Sequence, residues 1–137
     1  MRLVLWILSL LVGCVIAGCQ GDRDVDNALL CADEMMEKMP DSALKVMESI
    51  DPKRVSGGSQ RARYALLLTQ ARYKNFIDET DDSLISVAVR HYRRKNNHRA
   101  LANACFHKAR ILENAGNDNR SLELALDAEQ AAIKADD

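Results

Sequence analysis

Three histidines are the side chains of this chain best suited to acid–base or metal chemistry. His91, His98 and His107 have no acidic or thiol partner at the spacing that holds a metal ion. No glycine-rich phosphate loop, serine nucleophile motif or inward carboxylate pair accompanies them. The sequence therefore predicts a protein that is not an enzyme, with no catalytic residue, metal site or cofactor.

Four aspartates raise the question of calcium binding. Asp22, Asp24, Asp26 and Asp33 fall at positions 1, 3, 5 and 12 of a calcium-loop template. Asn27 occupies the sixth position, where the template requires glycine, and no helix precedes the loop. A solvated acidic segment is the preferred interpretation.

Cys19 is the thiol with the most informative surroundings. Arg2 gives a positive start, Leu3–Val12 is almost entirely apolar, and Ile16-Ala17-Gly18 immediately precedes Cys19. This order resembles the signal peptide and lipobox of bacterial lipoproteins, in which the cysteine thiol accepts a diacylglycerol group. The resemblance implies a signal peptide over residues 1–18 and lipid attachment at Cys19. Gln20, in place of aspartate, favours a cell-envelope location in the outer membrane.

Three other interpretations of this segment stay open. A transmembrane anchor is disfavoured because Leu3–Gly18 has sixteen residues, fewer than the roughly twenty that span a bilayer as a helix. An ordinary signal peptide with a chance cysteine and a buried helix are the others. Residues 19–25 are predicted to form the lipidated cysteine and a polar tether, and residues 26–137 a helical domain.

Charge is almost balanced over the chain but strongly segregated along it. The net charge is −6 from Asp22 to Asp51, +9 from Pro52 to Arg110 and −5 from Ile111 to Asp137. The balance gives no reason to expect nucleic-acid binding, whereas a basic centre suits an anionic partner or lipid headgroups. The densest basic run, Arg90–Lys95, is interpreted either as an exposed helix end or as such a patch.

Apolar residues recur at helical spacing through the rest of the chain, and no stretch alternates with period two, which predicts an all-α fold. Pro40 is expected to end the first helix, and Asp41 or Ser42 to cap the second. Ser56–Ser59 is predicted as a turn before a helix from about Gln60 to Asn75.

The remaining helices have local start and stop signals. Asp81-Asp82-Ser83 is predicted to cap a fourth helix, and a fifth is predicted from about His98 to Ala115. Gly116 ends the fifth helix as a left-handed terminator, and the sixth begins at Asp118 or Asn119. The six helices form three pairs with a loose repeat of about 34 to 40 residues, which indicates a helical repeat.

The last pair resembles a tetratricopeptide repeat (TPR). The matching positions carry small or turn-forming residues and one large apolar residue: Ala109, Leu112, Gly116-Asn117, Ser121, Ala125 and Ala128. Lys108 departs from the pattern, because an apolar residue is usual there. The stretches Arg61–Ala71 and Thr80–Ile85 are similar to a group of bacterial TPR lipoproteins.

This resemblance implies a right-handed α-solenoid of about three TPR-like helix pairs after an N-terminal signal helix. It also implies a non-catalytic module that binds an unidentified protein or peptide while the N-terminal lipid holds it at the membrane. The groove of the family is lined by the first helix of each pair. Helix phase then gives five candidate partner contacts: Thr69, Arg72, Tyr73, Arg110 and Glu113.

Cys31 and Cys105 are assigned to the first helices of the first and third pairs. We expect them about 20 Å apart, two interhelix spacings, which is too far for a disulfide. They are interpreted as small buried residues. An alternative function is a structural subunit, or a truncated relic of a longer TPR protein, that forms a homo-oligomer through an uncapped last repeat.

Overall fold

The computed structural model describes residues 21 and 23–136, which form helices and connecting turns without any strand. The predicted all-α fold is therefore confirmed for this part of the chain. We number its helices α1 (23–35), α2 (Pro40–Ser49), α3 (Gly57–Lys74), α4 (Ser83–Arg94), α5 (His98–Asn114) and α6 (Asp118–Asp136), with a short 3-10 turn at Pro52–Arg54. The predicted signal peptide and Cys19 lie outside the described residues.

The first two helices differ in detail from the prediction. Helix α1 already includes residues 23–25, which the sequence assigns to the tether, because Val25 is buried in the first core cluster. Pro40 is the first residue of α2, where its missing N–H is not needed for the helix. Met39 occupies the N-cap position, and neither Asp41 nor Ser42 does so.

Helix α3 begins earlier than predicted. Its N-cap is Ser56, and the glycines that suggested a turn form the first residues of the helix. Gly57 has a φ of 67°, a left-handed value that a residue with a side chain adopts only with strain. The predicted turn is thus limited to the entry into the helix.

Three helices end in the same way, with a residue in the left-handed conformation. These residues are Phe76 after α3, Asn96 after α4 and Gly116 after α5, with φ values of 58°, 52° and 74°. In each case the following N–H donates to a carbonyl five residues back, as Asn117 does to Leu112 at 2.8 Å. This is the Schellman arrangement, in which glycine is the usual left-handed residue. Only Gly116 follows that preference.

Two clusters of buried residues form the core. The first joins α1, α2 and α3 and the second joins α3, α4 and α5, while Leu84 packs against both. Buried alanines such as Ala43, Ala65 and Ala88 allow the helices to approach closely. The core is therefore continuous along the chain, and α3 contributes to both clusters.

Each helix from α2 to α5 packs against the next one, and α3 also packs against α5. Two asparagine side chains connect successive pairs. Asn75, at the end of α3, donates to the Pro40 carbonyl at 2.8 Å. Asn114, at the end of α5, donates to the Glu79 carbonyl at 3.2 Å. Each bond reaches 35 residues back along the chain, which is close to one helix pair.

The helices run antiparallel within pairs, so their ends form two edges. Gln60 at the start of α3 donates to Asp26 in α1 at 2.8 Å. Gly58 lies beside His91, near the end of α4, and His98 and Lys134 line one depression between the start of α5 and the end of α6. We call this side the proximal edge, because the described chain begins there. The opposite side, with the 76–82 connection, is the distal edge.

Lys108, the departure from the repeat pattern, has a specific role. Its ammonium group lies 3.1 Å from the Asp82 carboxylate and 2.9 Å from the Ser86 hydroxyl, both at the start of α4. The side chain is only 13% exposed. A lysine is placed at this packing position because its charged end reaches polar groups on the neighbouring helix.

Both cysteines of the helical region are free thiols. Cys105 is buried as predicted, but Cys31 is partly exposed, because its position on α1 lies at the margin of the first core cluster. Of the helices that the structure describes, none combines the length and apolar character needed to cross a bilayer.

Candidate functional site

A small cavity of about 30 Å³ lies between α3, α5 and the 76–82 connection. The side chains that matter for its chemistry are Thr69, Tyr73, Ile77, Glu79, His107 and Arg110. We call this cavity and its rim the α3/α5 cleft. Its volume is close to the share of liquid volume that one water molecule occupies, roughly 30 Å³. The cavity therefore suits a hydroxyl or amide group better than a large side chain.

The base of the cleft carries two buried polar atoms that have no hydrogen-bond partner among the described residues. They are the Thr69 hydroxyl oxygen and the His107 Nδ1. Thr69 is 2% exposed and His107 is 4% exposed. Buried polar groups are almost always paired in folded proteins, and an unpaired one costs about 1–3 kcal/mol. Thr69 and His107 both line the cavity, which makes it a candidate place for a ligand that completes their hydrogen bonding.

His107 is an uncharged group in this setting. Burial and, to a smaller extent, the nearby Lys74 charge together lower its pKa to about 4. At neutral pH the imidazole is therefore neutral, with one ring nitrogen that donates and one that accepts. The cleft offers a hydroxyl and a neutral imidazole, which can bind a neutral polar group.

Aromatic side chains form the rim of the cleft. The Tyr73 ring contacts the Phe106 ring edge to face at 5.7 Å between centroids, and the His107 ring at 5.2 Å. Phe76 is 94% exposed, and Ile77 beside it is partly exposed. Exposed aromatic groups around a small polar pocket are typical of recognition surfaces.

Two charged residues that line the cleft, Glu79 and Arg110, are already paired, whereas Asp78 has no ion-pair partner among the described residues. Arg72 holds Glu79 at 2.6 Å, and both side chains are largely buried. This pair fixes α3 to the 76–82 connection. Arg110 holds Glu113 at 2.7 Å on the more exposed side. Among the described lining residues, the Asp78 carboxylate is therefore left as an unpaired charge.

The structure brings three of the five predicted contact residues to the cavity itself. Thr69, Tyr73 and Arg110 line it, whereas Arg72 and Glu113 are the ion-pair partners of Glu79 and Arg110. Sequence reasoning missed His107 and Phe106. His107 lies one helical turn before Arg110, so the helix phase that selected Arg110 could also have selected His107.

The chain matches no protein-family model, no curated protein and no solved structure. Within the described part of the chain, no group of three or more His, Cys, Asp or Glu side chains is arranged to hold a metal ion. What these residues offer at the cleft is hydrogen bonding and aromatic contact.

Proposed function

We propose that this chain is a lipid-anchored, TPR-like interaction module of the cell envelope that binds a protein segment in the α3/α5 cleft without a catalytic step. The observation that carries the proposal is the pair of buried, unpaired polar atoms on Thr69 and His107 beneath an aromatic rim. The lipobox-like sequence ending at Cys19 supports the anchor, with the outer membrane as the destination.

The partner segment is expected to combine a small neutral polar side chain with a neighbouring apolar one. The polar group enters the cavity, because its volume of about 30 Å³ admits little more than a hydroxyl or amide. The apolar group packs on Tyr73 and the exposed Phe76. Charged residues in the segment are not required, because Arg72 and Arg110 already have carboxylate partners.

Selection of a displayed peptide library on the full-length chain in detergent tests this function. A selected peptide should bind Thr69→Val about five- to tenfold more weakly than wild type, since one hydrogen bond to a neutral group is worth about 1 kcal/mol. Thr80→Val is the matched control, because Thr80 is exposed and lies outside the cleft. Equal affinity for all three proteins would rule out the cleft as the binding site.

The same Thr69→Val change separates binding from folding. Removal of an unpaired buried hydroxyl by a residue of the same shape should raise the free energy of unfolding by about 1 kcal/mol. A variant that is more stable and binds more weakly fits a binding hydroxyl. A variant that is less stable would show that the hydroxyl has a structural partner.

The lipid anchor has its own test. Cys19→Ala in the producing cell should leave an uncleaved, unacylated precursor, because the thiol that accepts the lipid is absent. Labelling with a radioactive or clickable fatty acid and the mobility of the chain on a gel measure this directly. Normal processing of the variant would contradict the lipoprotein assignment and leave the cleft proposal intact.

Self-association is a second candidate function, and helix α6 favours it. Leu122, Leu126 and Ile133 are spaced by four and seven residues and are more than half exposed, whereas Ala131 is the one buried residue of this helix. If a second copy covers this stripe, light scattering of the full-length chain in detergent should give a dimer. Leu126→Glu should return it to a monomer, and Leu30→Glu on α1 should not.

A further inference from the structure

A second cavity, of about 430 Å³, lies at the proximal edge between the start of α3 and the end of α4. We call it the arginine pocket, after its lining residues Arg61, Arg90, Arg93 and Arg94, which are joined by Gly58 and His91. Its volume falls within the range of about 300–1,000 Å³ that is usual for ligand sites. Among the described residues, no acidic side chain lines it.

Three of the four guanidinium groups are available to a ligand. Arg93 is held by Asp127 of α6 at 2.8 Å. Within the part of the chain that the structure describes, Arg61, Arg90 and Arg94 have no ion-pair partner. Guanidinium groups are the preferred partners of phosphate, because their planar donors match its oxygens in pairs.

His91 adds a directed polar group to the pocket. The residue is 9% exposed, and its Nδ1 has no hydrogen-bond partner among the described residues. A methyl group on Gly58 would lie 3.5 Å from this nitrogen, in van der Waals contact with it. When Nδ1 carries the proton it can donate to an anion oxygen. The N-terminus of α3, which begins at Gly57, directs a partial positive charge to the same place.

We propose that the arginine pocket binds the phosphate group of an anionic lipid headgroup. The choice of a lipid rests on the anchor at Cys19 proposed above, whereas the anionic chemistry of the pocket does not. Cys19 precedes Asp24 by five residues, which span at most about 18 Å when extended. Asp24 is tied to Arg54 at 3.3 Å on the proximal edge. An acylated Cys19 therefore brings the headgroup layer within reach of this edge.

This site orients the protein on the membrane. With the proximal edge at the headgroups, the distal edge and its 76–82 connection point away from the bilayer. The α3/α5 cleft, which contains residues of that connection, is then accessible to a partner in the aqueous space. The anchor limits the distance from the membrane, and the arginine pocket sets which edge faces it.

Photolabelling in a bilayer tests the proposal with the full-length chain. The protein is reconstituted in phosphatidylcholine vesicles that contain a photoreactive phosphatidylglycerol or, in parallel, a photoreactive phosphatidylcholine. Peptide mapping should place the phosphatidylglycerol label on residues 58–61 and 87–94. Each basic residue near an anionic surface strengthens association about fivefold, so Arg61→Gln, Arg90→Gln and Arg94→Gln together should reduce this labelling by more than about tenfold.

The matched control removes the same charge elsewhere. Lys38→Gln, Lys45→Gln and Arg120→Gln replace exposed side chains outside the arginine pocket and should leave the labelling unchanged. Circular dichroism establishes that both triple variants are folded. Equal labelling by the two lipids, or labelling that survives loss of the three pocket arginines, would overturn the proposal.

Two further arms separate other sources of the anion. Loss of the label on addition of millimolar inorganic phosphate at constant ionic strength would assign the pocket to free phosphate, against a headgroup. Displacement by a polyglutamate peptide, together with no preference between the lipids, would assign it to an acidic protein segment. We expect the lipid on Cys19 in a processed chain, or residues 1–18 in an unprocessed one, to hold the protein at the vesicle, so failure here is distinguishable from failure of the lipoprotein assignment.

Discussion

His107 is the residue whose ionisation couples the α3/α5 cleft to the stability of the fold. Its pKa is lowered to about 4 in the folded chain by burial and by Lys74, against an ordinary value of about 6.5. Between these values the unfolded chain takes up a proton that the folded chain does not. The free energy of unfolding therefore falls as the pH falls through this window, and above about pH 6.5 His107 adds no pH dependence.

The expected loss of stability between pH 6.5 and pH 4 is roughly 3 kcal/mol from His107 alone. His107→Gln should remove this part of the pH dependence, because glutamine does not titrate. His98→Gln, at a half-exposed position at the start of α5, should keep it. Urea unfolding followed by circular dichroism at several pH values measures both. An unchanged pH profile in His107→Gln would show that the imidazole is not held in its neutral form.

The contributions of single residues to the cleft could be predicted only in part. Helix phase identifies Thr69, Tyr73 and Arg110 as lining residues, because the side of a helix depends only on spacing along the chain. The burial of Thr69 and His107 depends on how closely α3 packs on α5. That distance is set by side chains far apart in sequence, so the two unpaired polar atoms are visible only in the structure.

At the scale of the helices, the end of α3 carries the clearest strain. Phe76 has a φ of 58° in a position that favours glycine, and its side chain is almost fully exposed. A non-glycine residue in this conformation costs about 1–2 kcal/mol. Because the Phe76 side chain is exposed, its burial does not offset this cost. Strain that is retained at an exposed aromatic residue beside a cleft indicates a role in binding.

Phe76→Gly should therefore raise the free energy of unfolding by about 0.5–1 kcal/mol, after the added freedom of the unfolded chain is counted. Selected cleft peptides should bind this variant more weakly. Gly116→Ala, at the equivalent end of α5, should lower the free energy of unfolding by about 1 kcal/mol. Chemical unfolding measures both changes. A destabilised Phe76→Gly would mean that the aromatic ring has packing contacts in the folded state.

The ion pair between α5 and α4 gives a second prediction at this scale. Lys108→Met should cost about 2 kcal/mol, because it leaves Asp82 without its partner at a site that is only partly exposed. Lys45→Met is the matched control, since the Lys45–Asp41 pair is mostly exposed and such pairs are worth about 0.3–0.5 kcal/mol. Equal effects of the two changes in urea unfolding would contradict a structural role for Lys108.

Local signals explain which helix boundaries could be predicted. Asp81 accepts a hydrogen bond from the Ser83 N–H at the start of α4, and Gly116 ends α5, as their residue types indicate. The end of α3 has no glycine, so its left-handed turn at Phe76 could not be predicted. Lys108 departs from the TPR pattern for a similar reason: its ion-pair partner Asp82 lies at the start of another helix, which the local sequence around Lys108 does not reveal.

At the scale of the whole molecule, three arginines without an ion-pair partner among the described residues lie together at one edge. Arg61, Arg90 and Arg94 lie at the proximal edge, whereas Asp78 and Glu79 belong to the distal connection. Antiparallel helices bring the start of α3 beside the end of α4, so these arginines form one basic patch. An anionic surface attracts this patch.

Stability should also differ along the molecule. Helix α6 has one buried residue, whereas α3 contributes seven and takes part in both core clusters. We expect amide hydrogens of α6 to exchange at least about tenfold faster than those of α3, because local opening of α6 exposes little apolar surface. Hydrogen exchange followed by mass spectrometry measures this. Equal protection of the two helices would indicate that a second copy covers α6, which dilution of the protein would reveal.

The asparagine bonds at Asn75 and Asn114 have a consequence for how such a chain changes over evolutionary time. Each asparagine amide donates a hydrogen bond to a backbone carbonyl oxygen one helix pair earlier in the chain. Every amino acid has such a carbonyl oxygen, so the bond does not depend on the type of the accepting residue. If one helix pair were duplicated or deleted, the asparagine–carbonyl hydrogen bond could still form between the pairs that become neighbours. We expect relatives of this chain to vary in length by whole hairpins, with an asparagine retained at each joint.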